Sequence, residues 1–439
     1  MQTFRWRRWL TGRGTAVLLL LLLYALILTS VSHKSLTVDE QGHLFRGVAY
    51  VKTGATHFLW GHPLLASSLN ALPLLTEPNL QLPTDSPAWP AGEWEIAGDQ
   101  FLWQLNASPL RLIFLARLPT LWLTLLLGAL IYRWGREMAG RMAALLALAL
   151  FALDPNVLAH GGLITSDIAV TLFMVLAVYG FWRWAVVCKP YSVDREPYSV
   201  NRKPYSVDGT QNTEYGTRNT LLFLTAFALG AAAATKFSAA ALGPILGLLA
   251  LWLAVKWRSW RPLGFLLAVG MGAVVVVWVV YRLQIRPFPA AAYWQDLAWQ
   301  FDYFSRPHGA YLFGQYAATG WWYYFPVAFL LKTPLPTLLL LAYALIRLAT
   351  AVIRQRSFRA VVHFDLGVLL LATAVYGLIS LFTPLNIGYR HLLPILPFVY
   401  LLIAVSLSPR PPLPRSPPPL LLLWLLLVTL FTWPDYIAY

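Results

Sequence analysis

The residues of this chain best suited to chemistry are two adjacent carboxylates, Asp39 and Glu40, with His43 three residues after one and four after the other. On a helix that spacing groups the three on one face. It suits a general base with an orienting partner, and it also suits a divalent cation held by Asp39, Glu40, His43 and the more distant Asp167. A plainer reading fits equally well: an Asp ahead of a helix caps its first turn, worth roughly 1 kcal/mol. Just downstream, two short helix-like patterns flank Gly61-His62-Pro63. Asp154 in LDPNVLAHGG and Asp167 in LITSDIA stand at facing ends of two apolar runs, where each is either a helix cap or part of a site. His160, between them, reads as an interface residue.

Cations that can meet an anion near these acids are few. Arg117 lies within an apolar run, Lys236 at a junction in ATKFSAA, Lys332 in FLLKTPLP, and Arg390-His391 in NIGYRHLLP. A phosphate at this level needs such donors, and arginine can hold it with two parallel hydrogen bonds. Arg117 and Lys332 have an alternative as snorkelling side chains. Among nucleotide and hydrolase motifs, the chain has no Gly-x-Gly-x-x-Gly, P-loop, Cys/His cluster or Gly-x-Ser-x-Gly element.

The elements that must position these groups are membrane spans. Of 439 residues 58% are hydrophobic and 12% charged, with mean hydropathy +0.60. No soluble fold hides that much apolar surface, so the sequence predicts an all-α polytopic membrane protein. A span takes ~20 apolar residues to cross ~30 Å of hydrocarbon. About eleven runs qualify on that scale, near residues 15–32, 111–132, 142–158, 166–187, 219–235, 238–255, 263–281, 322–346, 363–383, 391–407 and 419–434. The N-terminal segment is charged like a signal peptide, but its apolar run is too long and lacks a cleavage site, so it reads as a retained first helix.

The net charge of +15 does not indicate nucleic acid, because most of the 33 Lys and Arg sit in short clusters between apolar runs. Those clusters, such as Arg133, Arg136 and Arg141 or Lys256, Arg258 and Arg261, orient the chain with its N-terminus inside. Asp39, Glu40, Asp154, Asp167 and Asp296 then all fall outside. The single cysteine, Cys188, forms no intrachain disulfide.

We read the whole chain, 1–439, as one transmembrane domain with four inserted segments. The first outer loop, 33–110, carries the chemistry. Within it, Leu44, Phe45, Val48, Ala49 and Val51 predict an interfacial helix from Asp39 to Lys52 facing the membrane, followed by a second over 62–75 and an irregular stretch from Pro83 to Gly98. The inner segment 188–218, with PYSV three times at a seven-residue period, reads as a disordered low-complexity insertion. A second outer loop, 282–321, is crowded with aromatics, either an interfacial belt or a cover over a lipid-linked sugar. A Pro-rich inner linker occupies 408–419.

With these blocks in place a family resemblance emerges. VDEQGHLFRGVAYVKTG and GHPLLASSLNALPLL resemble the first outer loop of GT-C glycosyltransferases of the protein O-mannosyltransferase and aminoarabinose-transferase type (glycosyltransferase family 39). DPNVLAHGGLITSD, ATKFSAA, GWWYYFPVAFLLKTPLP and NIGYRHLLPILP are similar to further blocks of the phospholipid-carrier-dependent members. The resemblance implies a GT-C fold and an enzyme that moves a sugar from a polyprenyl-phosphate carrier, with inversion, to a hydroxyl or amine at the extracytoplasmic face of a bacterial-type inner membrane. It implies Asp39 as base with Glu40 beside it. Arg390, His391, Lys236, His62 and Arg117 are then candidates for holding phosphate or substrate. A divalent cation is compatible and a nucleotide cofactor is not expected. Where the family has His-Pro-Pro-Leu and then a Lys, this chain has His62-Pro63-Leu64-Leu65 and then Ser67 or Ser68. A transporter or lipid-linked-sugar flippase, or a polysaccharide polymerase or ligase, are the alternatives. Against a transporter, no repeat of half the chain and no matching pair of broken helices is visible.

Overall fold

The structure, a computed structural model, describes residues 13–189, 211–357, 361–383, 385–408 and 419–439. The PYSV repeats, the Pro-rich linker and most of the N-terminal basic cluster therefore lie outside the described residues.

The chain is a multi-pass membrane protein. Eight helices among the described residues are long and apolar enough to cross a bilayer. One of them, Pro109–Ala152, runs 44 residues but breaks at Gly140, whose φ of 86° and ψ of −174° are not helical. The chain folds back there: a side chain on Gly135 would sit 3.1 Å from Ala144. That single element thus supplies the two spans expected near 111–132 and 142–158. The helices Gln211–Ala233 and Pro419–Thr432 cover two further expected runs, so the expectation of eleven spans is compatible with the structure without being fixed by it.

Three boundaries differ from expectation for identifiable reasons. Residues 211–218, read as part of the inner insertion, already belong to helix Gln211–Ala233. The run 322–346 is two helices, Tyr324–Lys332 and Leu335–Gln355, because Pro334 cannot continue the first. The Pro- and Trp-rich stretch 83–98, read as irregular, holds the short helices Ala88–Ala91 and Trp94–Asp99.

A larger difference concerns the loop 33–110. Its helix Val38–Thr53 forms as expected, capped at its C-terminus by Gly54 in the left-handed region. Its apolar face, however, does not lie on lipid. Leu44, Phe45, Val48 and Ala49 are fully buried in a second core, together with Phe58, Leu74, Phe101 and Ile113. Burying the three large ones, Leu44, Phe45 and Val48, stabilises the loop by several kcal/mol, at roughly 1.5–3 kcal/mol per large apolar group. The loop is accordingly a packed platform at one end of the bundle. The second long loop joins it as helix Ala291–Ser305 and a hairpin of strands Ala310–Leu312 and Gln315–Ala317.

Candidate active site

The helix Val38–Thr53 begins where Thr37 serves as N-cap. Glu40, at the third helical position, reaches back so that its Oε2 accepts from the Thr37 backbone N–H at 2.9 Å and the Thr37 hydroxyl at 3.1 Å. Capping is therefore done by Thr37 and Glu40, and Asp39 is released from the role that competed with chemistry.

Glu40 itself is fully buried and fully used. Arg117 donates to both of its oxygens, Nε to Oε1 at 2.8 Å and Nη2 to Oε2 at 2.7 Å, and the Ile164 amide donates to Oε1 at 3.0 Å. The remaining Arg117 donors go to the carbonyls of Val31, Lys34 and Ser35 at 2.8–3.0 Å. All five guanidinium N–H groups are thus consumed. Two expectations change. Glu40 has no lone pair free for catalysis or for a metal, and Arg117 has no donor free for a phosphate. Together they bolt the start of the helix Val38–Thr53 to the chain leaving the first span.

Asp39, one residue before Glu40, points elsewhere. It pairs with Arg390 Nη1, and the two side chains are 30% and 26% exposed. Arg390 comes from the 3-10 turn Tyr389–Ile395, 351 residues away in the chain. Beside this pair lies a second: Lys236 donates to Asp167 at 2.6 Å, with exposures of 12% and 4%. Asp167 is the first residue of helix Asp167–Val187, but its side chain is engaged by Lys236 instead of capping the helix. Asp154, by contrast, is a cap: it accepts from the Asn156 amide at 2.8 Å and from Tyr400 at 2.8 Å.

Histidines surround the two pairs. His43 is buried, with Nδ1 2.9 Å from the Ser67 hydroxyl and its ring 5.2 Å from that of His62. This contact depends on Gly47 one turn later, where a side chain would meet the Ser67 carbonyl at 2.0 Å. Burial lowers His43 to about 3 against the pull of the Asp39 charge, and pushes His62 well below its usual value. His160 falls to about 4 by burial, although Asp167 acts the other way. These rings are therefore neutral at pH 7. The Nδ1 atoms of His62 and His160 and Nε2 of His391 are buried with no hydrogen-bond partner in the structure. His160, read from sequence as a plain interface residue, is thus within electrostatic reach of Asp167, Arg390 and Lys236.

Two residues that sequence reasoning passed over position His62. Arg46 and Asp296, each 1% exposed, form an ion pair at 3.1 Å between the two loops. Arg46 also donates to the carbonyls of Phe58 and His62, and Asp296 accepts from the amides of Trp60 and Gly61 at 3.0 and 3.1 Å. Gly61 has φ +69°, and a side chain there would strike Gln300 and Trp299 of the second loop. The available signal was a lone Arg on the apolar face of the Val38–Thr53 pattern, which must find a carboxylate.

The four residues expected to share a metal do not converge. Asp39 faces Arg390, Glu40 is saturated, His43 bonds Ser67 and Asp167 holds Lys236. Among the described residues no group of three His, Cys, Asp or Glu is placed to hold a metal ion. The donor set does not fit a metal.

The fold is of the GT-C type, an all-helical membrane bundle carrying a packed loop platform over polar groups at one end. The sequence profile of the dolichyl-phosphate-mannose-protein mannosyltransferase family matches residues 91–288, which include Asp167 and Lys236 but neither Asp39 nor Arg390. Two solved structures of ArnT from Cupriavidus metallidurans are similar, one in the apo state and one bound to undecaprenyl phosphate. Each is 15% identical, with TM-scores of 0.57 and 0.58. Each match covers 90% of this chain and 60% of that one, so the chain spans less than two thirds of the ArnT length. The S. cerevisiae Pmt1-Pmt2 protein O-mannosyltransferase complex, bound to the sugar donor, matches at 18% identity over 64% of this chain and 34% of that one; its TM-score of 0.39 carries no weight. No curated protein sequence matches the chain.

Proposed function

We propose that this protein is a membrane glycosyltransferase that moves a sugar from a polyprenyl-phosphate carrier to an acceptor hydroxyl or amine. The observation that carries the reading is the pairing of an accessible carboxylate with an accessible guanidinium, Asp39 with Arg390, beside a second cation, Lys236, at the edge of a membrane bundle. Asp39 takes the proton of the acceptor as its oxygen or nitrogen attacks the anomeric carbon. The carbon–oxygen bond to phosphate breaks, and the leaving phosphate carries away the electron pair. Its charge needs fixed donors more than an acid, and Arg390 and Lys236 supply them. Attack opposite the leaving group inverts the anomeric centre. His62 and His391 each keep a buried ring nitrogen without a partner, and these are suited to hydrogen-bond sugar or phosphate oxygens. The bilayer confines the donor and supplies proximity.

Orientation follows from the basic residues. Arg183 sits at the far end of the helix that begins with Asp167 and lies 3.6 Å from Glu137, in the Arg133–Arg141 cluster. The positive-inside rule supports a cytoplasmic position for that end and, with it, an outer-facing Asp39; the bacterial-type inner membrane is what the family resemblance implies.

The test is reconstitution in vesicles with polyprenyl-phosphate sugars and a panel of acceptors, following release of polyprenyl phosphate. Sugar transfer with carrier release is expected. Movement of intact sugar-lipid across the bilayer without bond cleavage would make the protein a flippase.

A further inference from the structure

The two ion pairs of the site differ in a way that assigns them different jobs. Asp39, Asp167, Lys236 and Arg390 bring two negative and two positive charges together, and burial keeps the neighbouring imidazoles of His43, His62 and His160 uncharged. Without a ligand these four charges cancel one another, and Lys332 adds a positive charge within electrostatic reach of His160. A phosphate arriving there meets two cations that each already carry a carboxylate; Lys236 can add a donor without leaving Asp167, whereas a two-pronged grip by Arg390 draws its charge and its fork away from Asp39.

Which carboxylate yields is decided by exposure. Lys236 and Asp167 are 12% and 4% exposed, so parting them strands a charge in a dry interior, a costly step. Arg390 and Asp39 are 26% and 30% exposed, so each can be hydrated while it changes partner. Arg390 holds Asp39 through Nη1, and rotation of the planar fork lets it take a pair of phosphate oxygens instead.

We propose that Arg390 changes partners on donor binding: it holds Asp39 in the unliganded protein, and the donor's phosphate displaces the carboxylate, uncovering the base only once the donor is seated. Asp167 is in this view a positioning residue that keeps Lys236 in place throughout. The proposal rests on the glycosyltransferase reading and adds an order to it, donor before acceptor. While the guanidinium occupies a carboxylate oxygen of Asp39, that oxygen is not free to meet an acceptor's proton. The exchange therefore withholds activation of an acceptor until there is a sugar to receive it.

The experiment is equilibrium binding of undecaprenyl phosphate to the full chain in nanodiscs, for the parent, Asp39→Asn, Asp167→Asn and the double variant Asp39→Asn with Arg390→Ala. Asp39→Asn removes the competitor, so the phospholipid is expected to bind about 3- to 10-fold more tightly, the scale of a partly exposed ion pair. Asp167→Asn removes the same charge without freeing Arg390 and is expected to give no such gain, and the double variant to lose it. Equal affinity of parent and Asp39→Asn, with thermal stability unchanged, overturns the exchange while leaving the enzyme reading intact. An equal gain in both single variants overturns it too, since general charge relief would then suffice. Failure of the parent to bind the phospholipid at all removes the glycosyltransferase reading and the exchange with it.

Discussion

Asp39 and Glu40 are neighbours in sequence, chemically almost the same, and each is paired with an arginine. One pair is 0% and 2% exposed with every hydrogen-bonding position filled; the other is 30% and 26% exposed and open on one side. The helix turns the two side chains in different directions. One points back toward the bundle and one toward the polar cluster, so a single peptide bond separates a sealed pair from a partly exposed one. The difference teaches that in a membrane protein a buried charge is not by itself a functional one. What distinguishes the two pairs is that Asp39 and Arg390 are partly exposed, whereas Glu40 and Arg117 are sealed.

The comparison breaks first at Asp39. Asp39→Asn keeps shape and cannot take a proton. Thr37 and Glu40 cap the helix, so its first turn does not depend on Asp39. Transfer is expected to fall ~10²–10⁴-fold, the scale of a general base, with melting temperature near that of the parent. Transfer close to that of the parent would move the base elsewhere in the site.

The opposite outcome is expected at Arg117. Arg117→Met leaves the Glu40 carboxylate buried with its charge uncompensated, a loss of roughly 3–5 kcal/mol. Melting temperature and yield should drop steeply, and any protein that folds should still bind undecaprenyl phosphate. Arg46→Met, which strands Asp296 at 1% exposure, belongs to the same class. A stable Arg117→Met protein that had merely lost phospholipid binding would reverse the assignment and return Arg117 to the site.

How far the sequence reaches is clear from the same residues. Membrane spans are legible because a run of ~20 apolar residues matches the hydrocarbon thickness and little else in a folded chain. The position of the site is legible because charge is scarce in such a protein. Pairing is not. Arg117 meets Glu40 across 77 residues, Lys236 meets Asp167 across 69, and Arg390 meets Asp39 across 351, and no local pattern specifies those distances. The fate of the helix Val38–Thr53 was hidden for a related reason. Its apolar face is equally suited to lipid and to protein, and only the rest of the loop, folding over it, decides. Residue types thus narrowed the candidates, and three-dimensional pairing separated Asp39 and Arg390 from Glu40 and Arg117.

The smallest effect sharpens the comparison from the side of pH. His43 sits between the platform core and the polar cluster, 3% exposed, with burial lowering it from 6.5 to about 3. In the unfolded chain the ring takes up its proton as pH falls through 6.5, while in the folded chain it stays neutral until about pH 3. The unfolded state therefore binds the extra proton throughout that window, and stability falls as the medium is acidified. One such group contributes a slope of at most about 1.4 kcal/mol per pH unit, or roughly 1–2 °C per unit in a chain of this size. His43→Asn retains a partner for the Ser67 hydroxyl and does not titrate, so its melting temperature should decline less between pH 6.5 and 4 than that of the parent. The carboxylates are common to both proteins and cancel in the difference. Parallel curves for the two would mean that His43 is hydrated enough to be protonated in the folded state. The boundary between the sealed platform and the open cluster would then lie on the near side of His43, closer to the Glu40–Arg117 bolt than burial indicates.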